Sequence, residues 1–141
     1  LTNVFQYFIA NTDYSQILGA ADDICCHNTN LFGQQGELLH SIPYDFDMSG
    51  FADTPYAAPN EKFKLRSVRQ RLYRGYCANN SHLANTLALF RDKEDAILSL
   101  IENQPDLSGS SRSSMLSLTR AFYKLINDEK GVDKRIVKTC R

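Results

Sequence analysis

Four side chains with oxygen donors punctuate the first third of the chain: Asp13 in "NTDYS", Asn28 in "CCHN", and Asp45 and Asp47 in "PYDFD". Carboxylates and amides together make a hard, oxygen-only donor set suited to Mg²⁺ or Mn²⁺. Asn11 precedes Asp13 by two residues and His27 precedes Asn28 by one, so both are candidates for supporting roles. Asp22 and Asp23 add two further acids just upstream. Each of these residues also has a plainer reading. Asp13 stands where a turn residue ends a helix, Asn28 where a hydrogen-bonding residue opens a hairpin, and acids at a strand end are commonly solvated turn formers.

The elements that must gather them can be read from periodicity. Residues 1 to about 10 carry Val4, Phe5, Phe8 and Ile9 at helical spacing, and "ANTDYS" ends that helix. A loop follows to Asn28. "TNLF" and "ELLHSIPY" then flank "GQQG", a pattern that predicts two short strands joined by a reversal. A hairpin returns the chain to its starting side, so Asn28 before its first strand and Asp45 after its second are expected to meet. Alternation along an extended chain would place Asp45 and Asp47 on one face.

From Met48 to about Leu65, Pro55 and Pro59 predict an extended, irregular segment that covers something. Residues 51–80 thus form an irregular cover that includes a basic stretch, and residues 81–141 read as helical. "SHLANTLALFRDKEDAILSLIENQ" predicts one helix with Ser81 as N-cap and Leu83, Leu87, Phe90, Ile97 and Ile101 on its apolar face. Pro105 and Gly109 break the pattern. A second helix carries Met115, Leu118, Phe122 and Leu125, and a short last one Val132, Ile136 and Val137. The fold class is mainly α with a small β-hairpin, an α+β arrangement in a single domain over 1–141.

Composition narrows the partners. Sixteen basic residues balance sixteen acidic ones, so no global field points to nucleic acid or an anionic membrane. No apolar run approaches the roughly 20 residues that span a bilayer. The chain opens at Leu1, already at helical spacing and without Met, and so reads as a piece of a longer protein. "KLRSVRQRLYRG" brings Arg66, Arg69, Arg71 and Arg74 close together. Such a run is either a solvated face or an anion-binding one, since arginine forks match carboxylates and phosphates. Four cysteines permit three pairings; Cys77 with Cys140 would tie the tail down in an oxidising compartment. One cysteine of the adjacent pair Cys25 and Cys26 is expected in a disulfide, and the run "DDICCH" lacks the spacing to wrap one zinc ion.

A helix end bearing an Asp, then an Asn, a hairpin and an Asp-Phe dipeptide is the order of parts in the catalytic lobe of a protein kinase. Over about residues 5 to 50 the chain resembles the atypical CotH-type (spore coat protein H) kinases, which carry an Asn-x-Asp motif, a downstream His-Asn and an acidic strand-exit segment. Over most of its length it is similar to a group of uncharacterised bacterial proteins, through "NTDYS", "CCHN", "PYDFDMSGF", "SVRQRLYRGYC" and the closing "CR". The resemblance implies a protein-kinase-like C-terminal lobe in which Asp13 is catalytic and Asn28, Asp45 and Asp47 bind Mg²⁺ or Mn²⁺. It implies ATP as nucleotide, bound only with the N-terminal lobe of the same protein, an unknown phosphate acceptor, and export or a periplasmic location in a bacterium. The chain departs from the kinase pattern in having no glycine-rich loop and no His-Arg-Asp, and in the long gap between Asp13 and Asn28. A non-catalytic helical binding module on a kinase-like scaffold is the competing expectation.

Overall fold

The computed structural model describes residues 1–19, 25–34, 36 and 39–141. In order along the chain come α1 (Thr2–Phe8), β1 (Thr29–Phe32), β2 (His40–Pro43), α2 (Leu83–Asp92), α3 (Glu94–Asn103), α4 (Gly109–Ile126) and α5 (Glu129–Arg135). Short 3-10 turns occur at Glu61–Phe63, Cys77–His82 and Val137–Thr139. This mainly helical arrangement with one small antiparallel sheet agrees with the fold class expected from the sequence.

α1 is short but lies in the centre. Val4, Tyr7, Phe8 and Ile9 are buried, and Phe8 meets Phe122 of α4 edge-on with ring centroids 5.0 Å apart. Phe90 of α2 reaches the same ring at 5.3 Å, and Ile126 and Ile136 close the cluster. Such edge-to-face aromatic contacts add about 0.5–1.5 kcal/mol each beyond the area they bury. The end of α1 leaves carbonyls with no helical partner. Arg71 supplies it: Nε donates to the Tyr7 carbonyl at 2.9 Å, and one guanidinium nitrogen donates to Phe8 at 3.0 Å and to Leu118 of α4 at 2.6 Å. One side chain thus joins two helices and lies over the Phe122 ring.

The single long helix expected over 81–104 is two. α2 stops at Asp92, and Lys93 takes a non-helical conformation (φ −97°, ψ 5°) before α3 begins. The expected apolar positions still face inward on both sides of the break: Leu83, Leu87, Phe90 and Ile101 are buried, and Ile97 packs against the core. Ser81 is not the cap; it lies inside the preceding 3-10 turn. Gly109 opens α4 instead of breaking the pattern, because the Ser108 hydroxyl accepts from Ser111 N and caps the first turn. Asp128 caps α5 by accepting from Lys130 N and Gly131 N.

The hairpin pairs Thr29 with Pro43, Asn30 with Ile42, Leu31 with Ser41 and Phe32 with His40. The second strand is shorter than "ELLHSIPY"; Gln35, Glu37 and Leu38 lie outside the described residues. One hairpin face is tied to the helical body, with Thr2 Oγ1 donating to the Ser41 carbonyl and Gln16 Nε2 to Ser41 Oγ. By strand alternation the other face carries Asn30, Phe32, His40 and Ile42, and there Phe32 is 56% and Ile42 50% exposed. Among the described residues no helix is long and apolar enough to cross a membrane.

Both cysteine pairs are at disulfide-bonding distance. Cys77 and Cys140 have Cα atoms 5.0 Å apart, and the backbone brackets the bridge: Cys77 N donates to the Arg141 carbonyl and Arg141 N to Gly75, each at 3.0 Å. Cys25 and Cys26 pair with each other, so the adjacent pair is paired internally.

Candidate functional site

The loop that leaves α1 is built to hold Asp13 still. Asn11 is 1% exposed; its Oδ1 accepts from Asp13 N at 2.8 Å, and its own N–H donates to the Gln6 carbonyl at 2.8 Å. Arg74 donates to the carbonyls on either side of Asp13, those of Thr12 and Tyr14. Its guanidinium is sandwiched between the Tyr14 and Phe63 rings, with centroids 4.8 and 4.6 Å away. Burial pushes the Arg74 pKa below its ordinary value and pushes the Tyr14 phenol up, against the opposing pull of Arg74.

The same loop then pairs with the start of the hairpin. Ser15 and His27 exchange backbone hydrogen bonds of 2.9 Å in each direction. That contact carries His27 and Asn28 to Asp13. His27 Nε2 lies 3.0 Å from Asp13 Oδ1, while Asn28 Nδ2 donates to the Asp13 carbonyl at 2.9 Å and to Oδ2 at 3.1 Å. Both carboxylate oxygens are therefore engaged, one by an imidazole and one by an amide. Asn28 adopts a left-handed conformation (φ 49°), which asparagine tolerates better than most residues.

The hairpin exit is anchored too. Tyr44 N donates to the Asn28 carbonyl at 3.1 Å, which sets Asp45 one residue beyond the partner of Asn28. Extended alternation ends at Pro43, however. Asp45 is left-handed (φ 54°) and exposed, and Asp47 lies in a turn whose carbonyl accepts from Thr54 Oγ1 at 3.1 Å. Asp45 and Asp47 therefore do not alternate along one extended strand as the sequence predicts. Beyond them Gly50 runs against the body: Gly50 N donates to Ala10, Phe51 N donates to Ile9, and a Cβ at Gly50 would stand 2.6 Å from the Val68 carbonyl oxygen. Among the described residues no three of the carboxylates, imidazoles and thiols gather as a metal-binding group. Asp22 and Asp23 lie outside the described residues.

Two clefts flank Asp13. One, of about 360 Å³, extends to Met48, Pro59 and Glu61. The other, of about 370 Å³, extends to His27, Arg74 and Arg141. Asp13, Asn60 and Lys62 border both, and neither is lined by Asp45 or Asp47. From the irregular segment after Met48, the 3-10 turn Glu61–Phe63 and Asn60 before it contribute to the lining of these clefts. Lys62 and Arg141 are the cleft residues that sequence reasoning missed. No local pattern marks them, since each reaches the cleft only through tertiary contacts.

The arginine stretch divides. Arg69 donates to Ser114 and to Asp53 Oδ2 at 3.3 Å, Arg71 to three carbonyls and Arg74 to two; only Arg66, which is exposed, has no side-chain partner among the described residues. Three of the four guanidiniums are thus occupied in joining parts of the protein. No family model, curated protein or solved structure matches the chain.

Proposed function

We propose that the chain is the C-terminal catalytic lobe of a CotH-like, metal-dependent phosphotransferase that uses ATP. The observation that carries the reading is Asp13 held by His27 and Asn28 at the open end of a hairpin, the end from which Tyr44 leads on to Asp45. The order of these parts along the chain is that of a kinase catalytic lobe, and the contacts of Asp13 with His27 and Asn28 support the reading.

The donor chemistry fits Mg²⁺ or Mn²⁺. Asn28 spends its amide nitrogen on Asp13, and among the described residues nothing donates to its Oδ1 or to the Asp45 and Asp47 carboxylates. Mg²⁺ is commonly held by one or two carboxylates plus substrate phosphates, so a full protein cage is not required. Bound there, the ion would supply neutralising charge for the transferred phosphoryl group. Asp13 takes the proton from the acceptor hydroxyl. The acceptor oxygen bonds to the γ-phosphorus as the bond to the bridging oxygen breaks, and ADP leaves with that electron pair. His27 fixes the Asp13 carboxylate and Asn11 fixes its backbone.

The N-terminal lobe of the same protein would supply the remaining nucleotide contacts. Phe32 and Ile42, both exposed on one hairpin face, offer it apolar contacts. One observation favours the competing reading, a non-catalytic module: both Asp13 oxygens are satisfied internally, as a purely structural aspartate would be. Thermal unfolding separates the two. Mg²⁺ or Mn²⁺ should raise the melting temperature of the wild type and not of Asp45→Ala; a wild type indifferent to both ions supports the non-catalytic module.

A further inference from the structure

Among the described residues, the cleft that runs from Asp13 to Arg141 is lined by more cations than acids. Sixteen acids balance sixteen bases over the sequence, yet among the described residues Lys62, Arg74 and Arg141 border this cleft against one acid, Asp13. Arg74 is committed to the Thr12 and Tyr14 carbonyls. Lys62 is not committed: its side chain is exposed and has no hydrogen bond or ion pair among the described residues. Arg141 is positioned but not neutralised. Its Nε donates to the Arg74 carbonyl at 3.1 Å and its guanidinium lies 5.1 Å from the Tyr76 ring centroid, with no carboxylate on it among the described residues. The rim adds Ile17 and Leu18, 56% and 68% exposed, an apolar shelf beside the cations.

We propose that this cleft receives the phosphate acceptor, and that the acceptor is an acidic polypeptide segment whose serine or threonine hydroxyl is presented to Asp13. Lys62 and Arg141 hold the flanking carboxylates, and Ile17 and Leu18 take apolar surface that a small anionic metabolite would leave uncovered. As an acceptor site the assignment rests on the phosphotransferase reading; as an anionic-peptide site it rests on the cleft alone.

Equilibrium binding of two labelled peptides to the full chain tests it: a serine flanked by glutamates, and the same peptide with lysines in their place. The glutamate peptide should bind more tightly, and Lys62→Ala should weaken it by about fivefold, the scale of one part-exposed ion pair. Lys62→Glu should weaken it further, and added salt should weaken wild-type binding. Because the Lys62 side chain bonds to nothing described, both variants should melt with the wild type. Equal binding of the two peptides, or affinity unmoved by either variant, overturns the proposal. Phosphoryl transfer from ATP to the glutamate peptide is read separately in the full-length protein. The predicted binding pattern without transfer removes the phosphotransferase reading and leaves the anionic-peptide site, whereas transfer to a peptide whose binding ignores Lys62 does the reverse.

Discussion

The side-chain nitrogen of Asn28 donates to both the main-chain carbonyl and the carboxylate of Asp13, at 2.9 and 3.1 Å, across fifteen residues of sequence. One amide therefore fixes the position of the loop and the orientation of its acid. Asn28 is buried, so removing that amide leaves the Asp13 carbonyl without its donor.

Asn28→Ala is accordingly expected to lower stability by about 1–3 kcal/mol, the cost of an unsatisfied buried polar group. Urea unfolding measures this. Asn28→Asp places a second carboxylate against Asp13 and should be at least as costly near neutral pH, with part of the loss recovered on acidification.

The Cys77–Cys140 bridge closes a loop across a sequence separation of 63. Its loss should cost about 2–4 kcal/mol, chiefly by enlarging the unfolded ensemble. The Cys77→Ser, Cys140→Ser double variant should show that deficit in chemical unfolding. Thiol titration of the unreduced, denatured wild type should find no free sulfhydryl, in keeping with the paired state of all four cysteines.

Alkaline pH should unfold the protein through its buried phenols. Burial raises the pKa of Tyr7, Tyr14 and Tyr73 and lifts that of Tyr123, whose hydroxyl donates to the Phe90 carbonyl, to about 12. A raised folded pKa contributes stability that is fully present below the unfolded value near 10 and is lost as pH rises through the folded value. Tyrosinate absorbance should rise in two stages, exposed tyrosines first and these four together with loss of helical signal. Tyr123→Phe should reduce the slope of stability against pH in that range.

Much of this was legible in the sequence where a side chain's periodicity alone determines its environment. Val4, Phe8, Phe90 and Phe122 are where helical spacing puts them. That the hairpin exit returns to Asn28, where Tyr44 N meets its carbonyl, was readable because a hairpin brings its two ends together whatever its loop does. The break at Lys93 was not, because the expected apolar positions face inward on both sides of it. Gly109 was misread because Ser108 stands just before it, and a cap converts a helix breaker into a first-turn residue. The arginines show the limit best. A run of guanidiniums reads as a charged surface, yet Arg71 and Arg74 point inward to carbonyls at the end of α1 and in the loop after it, positions that depend on α1 ending at Phe8.

The most direct measurement is phosphoryl transfer by the full-length protein carrying this chain, with labelled ATP and the glutamate-flanked serine peptide, in wild type, Asp13→Asn and Asp45→Asn. Wild type should be labelled in a Mg²⁺- or Mn²⁺-dependent manner, and both variants should lose that labelling by a factor on the order of 10² or more. The melting temperature of Asp45→Asn measured without metal should match the wild type, since Asp45 is exposed and its carboxylate has no hydrogen bond or ion pair among the described residues. Labelling that survives in Asp45→Asn, or that proceeds without a divalent ion, would contradict the account.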